Sequence, residues 1–225
     1  MTGFLASIKN IEEAKKVCSS TIDIIDFKKV DDGALGFVGN EIITEGRKLL
    51  HNHTISVTIG NEHNPNNLKT INNINYVIKN KIEYLKIGLF DTRMIDEHKK
   101  LIRKINFHTT LPICVIFADQ SFDLSLIYKI IDIGYKGMMI DTCFKNGKSS
   151  IDILSMFDIK NFIKIVKSND LICGMSGSLK LHHIADLKKL DIDFLGFRGQ
   201  LCDGIPNRDM ISVSQVDKVS REIKS

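Results

Sequence analysis

The sequence has no tryptophan, few prolines and no run of five or six charges of one sign. Proteins that bind nucleic acid through their charge usually cluster lysine and arginine, with aromatic side chains among them. Here the lysines are spread along the chain, so a net charge of +4 gives little support to such a partner. We therefore expect no nucleic-acid partner.

Patterns that indicate disulfides, metals and membranes are missing as well. The five cysteines are odd in number, widely spaced and without a C-x-x-C pair, which is typical of reduced core thiols in a cytosolic protein. The histidines show no metal-ligand spacing, so we expect them at the surface and expect no metal or other cofactor. No apolar run reaches membrane-spanning length. The apolar stretch in "MTGFLASIKN" is too short for a signal peptide, because a charged residue interrupts it early. These absences predict a cytoplasmic protein without a membrane partner.

What the sequence does contain is a repeated alternation of short apolar runs and helical patterns. Near-continuous apolar runs of this length are typical of parallel strands that are covered on both faces. The runs are GFLASI, IDIIDF, TISVTIG, EYLKIG, LPICVIFA, KGMMID, LICGMS and DFLGFRG, starting at residues 3, 22, 54, 83, 111, 136, 171 and 193.

The segments between these runs carry helix start and stop signals. Asn10 is followed three residues later by Glu13, Ser155 is followed by Asp158 in the same way, and Asp91 is placed to cap a helix that runs to about residue 106. Eight strand and helix units without a linker rich in proline, glycine or serine predict the α/β class and a single (β/α)8 TIM barrel over residues 1–225. An open, doubly wound sheet is the alternative, although no topological switch point can be located.

The barrel places reactive side chains at the carboxyl ends of its strands, where the charged residues of this chain fall. Asp26 and Lys28 are two residues apart and so share one face of the second strand. Lys86 stands between Leu85 and Ile87, where a lysine must pair, lose its proton or reach a cavity. Asp141 and Lys145 follow the sixth strand.

These lysines suggest covalent chemistry. A lysine held partly neutral can attack a carbonyl and form a Schiff base, while a second lysine or a carboxylate moves protons. The alternative is that each lysine and aspartate form a solvated salt bridge on the rim. Convergence of Lys28, Lys86 and Lys145 on one barrel mouth favours the first interpretation.

Two glycine-containing segments predict a phosphate site. "GMSGSLK" places Gly177 and Ser178 between a strand and a helix, and "FRGQLCDG" adds Arg198 and Gly199 from the last strand. Ordinary glycine turns are the alternative. The GKS in "TCFKNGKSS" is not a P-loop, because Thr142 stands where that motif requires glycine.

In order, "DIIDFKKVDDGALG", "YLKIGL", "MIDTCFKNGKSSID", "SGSLK" and "GFRGQLC" resemble the (5-formylfuran-3-yl)methyl phosphate synthases of methanofuran biosynthesis. The resemblance spans nearly the whole chain. It implies a barrel lyase that condenses two molecules of glyceraldehyde 3-phosphate, with loss of phosphate and water. It further implies that Lys28 forms the Schiff base, that Lys86 transfers protons, and that Asp26, Asp141 and Lys145 complete the charged pocket.

Two other functions remain open at this point. A different Schiff-base barrel enzyme, such as a class I aldolase, would keep the same lysines and change the substrate. A non-catalytic sensor of phosphorylated metabolites would keep only the phosphate site. In every case the expected ligand is a small phosphorylated molecule, and the sequence leaves open whether the chain forms a homo-oligomer.

Overall fold

Parallel strands form a closed barrel in the computed structural model, which describes residues 1–120, 122–144, 146–204 and 210–225. Each strand pairs with the next, and the last pairs with the first through Gly3 and Phe194. The strands are β1 Gly3–Ile8, β2 Ile24–Phe27, β3 Thr54–Thr58, β4 Tyr84–Gly88, β5 Leu111–Phe117, β6 Gly137–Asp141, β7 Ile172–Met175 and β8 Phe194–Phe197. The predicted barrel is confirmed, and the open sheet is wrong.

Helices alternate with the strands and cover the outside of the barrel. They are α1 Ile11–Val17, α2 Asn40–Leu49, α3 Leu68–Lys79, α4 Ile95–Lys104, α5 Leu124–Ile131, α6 Ser150–Ile153, α7 Met156–Lys167, α8 Ile184–Leu187 and α9 Val213–Lys224. Short 3-10 turns lie at Thr92–Met94, Leu181–His183 and Gly199–Leu201.

Most predicted helix starts are correct. The side chains of Asn10 and Ser155 accept hydrogen bonds from the third residue of α1 and α7, which satisfies an amide that has no partner within the helix. Asp91 differs, because it caps the 3-10 turn that precedes α4. The helix also ends at Lys104 instead of near residue 106.

Two separate apolar clusters hold the barrel together. The larger lies between the strands and the helices, and the smaller fills the barrel interior. Strand β5 turns Ile113, Val115 and Phe117 inward, whereas on β2 the inward positions pass from Ile24 to Asp26. One wall of the interior is therefore apolar along its length, and the wall formed by β2 becomes charged toward the mouth.

Gly46 lets α2 pack closely on the strand that carries the charged residues. A Cβ atom at this position would overlap the ring of Phe27, which is fully buried between β2 and the helix. Glycine in a helix costs about 1 kcal/mol relative to alanine, and the close packing explains why it is retained.

No helix in the described part of the chain has the length and apolar character needed to cross a bilayer. Cys114, Cys173 and Cys202 are buried, as expected for core thiols, while Cys18 and Cys143 are partly buried.

His98 contradicts the expectation that the histidines lie at the surface. It is buried in α4, and its Nδ1 atom lies 2.6 Å from the hydroxyl oxygen of Tyr135, which follows α5. Burial lowers the pKa of His98 to about 4 and raises the pKa of Tyr135 well above its ordinary value. The polar residue is tolerated in the core because its ring stays neutral and gains a hydrogen-bond partner.

The neutral state of His98 predicts a specific loss of stability in acid. Between the folded pKa of about 4 and the unfolded pKa of 6.5, the unfolded chain binds a proton at His98 that the folded chain does not, so the free energy of unfolding falls as the pH falls. From pH 7 to pH 5, urea denaturation should show wild type losing about 2 kcal/mol more than His98→Gln. His51→Gln changes an exposed histidine and should retain the wild-type dependence. If the free energy of unfolding fell by the same amount from pH 7 to pH 5 in wild type and in His98→Gln, this account would be contradicted.

Candidate active site

A cavity of about 340 Å³ opens at the carboxyl ends of the strands. Most of the predicted site residues line it, namely Lys28, Lys86, Asp141, Gly177, Ser178, Arg198 and Gly199. Asp26 is fully buried beside Lys86 and does not line the cavity, and Lys145 lies outside the described residues. The structure therefore brings lysines, carboxylates and glycine turns from five strand ends to one place.

Asp26 and Lys86 form the deepest ion pair of the site. The Nζ atom of Lys86 lies 2.7 Å from Oδ1 of Asp26, and both side chains are almost completely buried. The other oxygen of Asp26 accepts a hydrogen bond of 2.8 Å from the hydroxyl of Ser7, on the neighbouring strand β1. Pairing of this kind is what allows a lysine to lie inside a strand of the barrel wall.

Lys28 and Asp141 form a second, looser pair across the mouth. The Nζ atom of Lys28 lies 3.5 Å from Oδ2 of Asp141, and Oδ1 of Asp141 accepts a hydrogen bond of 2.7 Å from the amide of Thr142. Both side chains are buried and line the cavity. The predicted alternative of solvated rim salt bridges is wrong for both pairs, because solvent reaches less than a tenth of any of the four side chains.

The surroundings of Lys86 both raise and lower the pKa of its ammonium group. Burial lowers the pKa of its ammonium group, the Asp26 carboxylate raises it, and the nearby Lys28 cation lowers it again, so that the pKa lies below its ordinary value of 10.5. Lys86 is thus an amine that loses its proton more readily than a lysine with the ordinary pKa.

The turn after β7 supplies backbone amides to the same cavity. Gly177 and Ser178 have φ angles of +93° and +54°, two consecutive residues in the left-handed region. Both residues line the cavity, and backbone amides in turns of this kind can bind an anion. A Cβ atom at position 177 would also lie 2.9 Å from the backbone nitrogen of Thr142, so the turn requires glycine for both its angle and its packing.

Arg198 occupies the predicted place, but its guanidinium group contacts a carboxylate. Its Nη1 and Nη2 atoms donate to the two oxygens of Glu13 at 2.6 and 3.0 Å, and Nη1 also donates to the backbone oxygen of Ser7. Glu13, fully buried, further accepts from the amides of Lys9 and Ile211. The Arg198 and Glu13 pair therefore ties the end of β8 to the start of α1.

Sequence reasoning assigned Glu13 only to a helix cap and gave Ser7 no specific role. Nothing in the local pattern distinguishes a capping glutamate from one that binds an arginine 185 residues away. Asp119, which follows β5, accepts hydrogen bonds from the amides of Cys143 and Phe144 and thereby fixes the start of the loop after β6.

A second cavity, of about 450 Å³, lies beside the ends of β4 and β5. Its lining includes Phe90, Phe117, Asp91 and Asp119, and none of the lysines at the other cavity. Among the described residues, no three His, Cys, Asp or Glu side chains are grouped to hold a metal ion.

Comparisons with known proteins agree with the architecture and the motifs. The sequence profile of a family described as 4-HFC-P synthase matches residues 4–220. The (5-formylfuran-3-yl)methyl phosphate synthase of Methanococcus aeolicus is 31% identical, covering 96% of this chain and 97% of its own. That of Methanocaldococcus jannaschii is 27% identical over 89% of this chain and 90% of its own.

Solved structures show the same fold at low sequence identity. The 3-hexulose-6-phosphate synthase of Salmonella typhimurium superimposes with a TM-score of 0.70 at 11% identity, over 99% of each chain. The phosphoribosyl anthranilate isomerase of Thermus thermophilus gives a TM-score of 0.69 at 7% identity, over 100% of this chain and 98% of its own. These similarities concern the barrel fold alone.

The buried Glu13 and Arg198 pair predicts a large effect on stability. Glu13→Gln should lower the free energy of unfolding by about 3–5 kcal/mol, because it removes the buried carboxylate that pairs with the buried guanidinium of Arg198. Asp186→Asn removes an exposed partner of Lys189 and should cost less than about 1 kcal/mol. Denaturant unfolding of both variants checks this. If Glu13→Gln and Asp186→Asn both lost only a small and similar free energy of unfolding, Glu13 would serve only as a helix cap.

Proposed function

The chain belongs to the (5-formylfuran-3-yl)methyl phosphate synthase family, and we propose that it forms this product from two molecules of glyceraldehyde 3-phosphate through a Schiff base on Lys28. Phosphate and water leave in the course of the reaction. The observation that carries the proposal is the presence, in one cavity, of two lysines with separate carboxylate partners beside a turn of backbone amides.

Lys28 is the better nucleophile of the two lysines. Its contact with Asp141 is 3.5 Å long, whereas Lys86 is held at 2.7 Å by Asp26 deeper in the barrel. Once Lys28 has lost a proton, its amine attacks the aldehyde carbon, and loss of water gives an iminium ion. The iminium withdraws electrons, so the adjacent carbon loses its proton more easily and becomes the nucleophile for the second aldehyde.

Lys86 suits the proton transfers that this sequence requires. Its lowered pKa allows it to accept a proton from carbon and to return one later, and Asp26 stabilises the ammonium form between the two steps. Asp141 plays the corresponding part for Lys28. The family resemblance implies that Lys145 is a further charged residue of the pocket, and we propose this role for it.

The phosphate of the substrate would bind at the glycine turns. Gly177, Ser178 and Gly199 line the cavity, and the left-handed turn at Gly177 and Ser178 offers backbone amides that can bind an anion. Arg198 contributes positive charge at the cavity wall while Glu13 holds it in place. We propose that backbone amides make the direct phosphate contacts and that Arg198 supports them.

Borohydride trapping tests the assignment of Lys28. With glyceraldehyde 3-phosphate, wild type should give a reduced covalent adduct on the peptide that contains Lys28, together with a furan aldehyde and free phosphate in the absence of borohydride. Lys28→Ala should lose the adduct and the product, because the proposed nucleophile is then missing. Lys29→Ala removes the exposed neighbouring lysine and should behave as wild type. Peptide mapping by mass spectrometry and the furan absorbance give the two measurements.

The outcomes also separate the alternatives. An adduct with another carbonyl phosphate, but none with the triose, would indicate an aldolase-like enzyme. Phosphate binding that persists in Lys28→Ala, with no turnover by wild type, would indicate a sensor. An adduct on Lys86 would reverse the proposed roles of the two lysines.

Lys86→Arg tests the proton-transfer role with the positive charge retained. Arginine can pair with Asp26, but it does not lose its proton in this pH range. We expect the adduct on Lys28 to form while turnover falls by about 10²- to 10⁴-fold. Wild-type turnover in Lys86→Arg would show that Lys86 acts only through its charge.

A further inference from the structure

Ser7 is a hydroxyl that both lines the cavity and contacts the buried carboxylate. It lies in β1, is 7% exposed and forms part of the cavity wall. Its Oγ donates to Oδ2 of Asp26 at 2.8 Å, and its backbone oxygen accepts a hydrogen bond of 3.3 Å from Arg198. The side chain is thus held with its hydroxyl between Asp26 and the cavity.

Asp26 has no surface of its own in the cavity. The residue is 0% exposed and is not among the residues of the cavity lining, whereas Ser7 and Lys86, which contact its two oxygens, both belong to that lining. A proton can therefore pass between Asp26 and a substrate through either of two groups. Lys86 is one of them and Ser7 is the other.

We propose that Ser7 is a further catalytic residue, which passes a proton between Asp26 and an oxygen of the substrate. The proposal rests on the condensation proposed above. In this proposal Asp26 is the central group of a proton relay that runs from Lys86 through Asp26 to Ser7. The relay connects two points of the cavity wall without requiring water inside the barrel.

The loss of water from the condensed intermediate balances through this relay. Neutral Lys86 takes a proton from carbon, the C–H electrons form the new double bond, and the C–O bond to the adjacent hydroxyl breaks. Lys86 passes its proton to Oδ1 of Asp26, and the neutral carboxyl group turns so that this proton faces Ser7. Asp26 then donates the proton to Oγ of Ser7, while the hydroxyl of Ser7 turns and gives its own proton to the departing hydroxyl, which leaves as water. Each group ends in its starting state, so one cycle transfers the carbon proton to oxygen.

Ser56 provides a matched control on the other side of Asp26. Ser7, Asp26 and Ser56 are aligned in register on the adjacent strands β1, β2 and β3. Ser56 is also a buried serine, 1% exposed, but it does not line the cavity. Removing its hydroxyl changes the same layer of the barrel without touching the proposed relay.

The test compares variants at these two positions with glyceraldehyde 3-phosphate as substrate. Ser7→Ala should lower kcat by at least about 100-fold, leave KM and the borohydride adduct on Lys28 nearly unchanged, and accumulate a condensed adduct that still holds its hydroxyl, detectable by mass spectrometry. Ser7→Thr keeps a hydroxyl and should recover much of the turnover. Ser56→Ala should have wild-type kcat. Circular dichroism melting of each variant confirms folding, and Ser7→Val, which matches Ser7→Thr in shape but has no hydroxyl, replaces Ser7→Ala if the latter does not fold.

Two results would overturn the inference while the proposed function stands. One is wild-type kcat in Ser7→Ala or Ser7→Val. The other is an equal loss in Ser56→Ala, which would attribute the effect to a general disturbance of Asp26. Failure of the proposed function itself would appear differently, as the absence of adduct and furan product with wild type.

Discussion

The buried contact between Lys86 and Asp26 is the constraint on which the site depends. Burying either charge alone in a barrel interior would cost several kcal/mol, so each residue is tolerated only because the other is present. The two belong to β4 and β2, with β3 between them. Strand β3 presents the small side chains of Ser56 and Thr58 in this region, which leaves the space that the pair requires.

The pair of Lys28 and Asp141 joins opposite sides of the barrel and lies in the cavity wall. Lys28 from β2 reaches Asp141 from β6, and these strands lie opposite each other in the ring of eight. Their contact therefore spans the mouth, is longer than the deeper pair, and lies directly in the cavity wall. The difference in depth gives chemically identical side chains different environments, which allows one lysine to be a nucleophile and the other a proton carrier.

The sequence predicted the barrel and most of the residues around its mouth for a clear physical reason. Near-continuous apolar runs indicate buried strands. A charged side chain inside such a run, such as that of Lys86, must either pair with an opposite charge or face a cavity. The sequence could not predict which carboxylate each lysine meets, because Asp26 and Asp141 come from strands whose side chains converge only after closure. Glu13 illustrates the same limit, since its helix-capping pattern is local and its arginine partner is distant. His98 was placed wrongly because its polar character suggested exposure, whereas it lies in the core with its Nδ1 atom paired to the hydroxyl of Tyr135.

The central claim is that the barrel holds Lys86 with a pKa below that of an ordinary lysine. Nuclear magnetic resonance titration of the lysine side chains, with Lys86 assigned by its absence in Lys86→Arg, measures this directly. The account predicts that the Lys86 signal titrates below its ordinary value of 10.5. A Lys86 signal that titrates at or above that value would contradict the account, because attraction to Asp26 would then outweigh burial and the nearby cation.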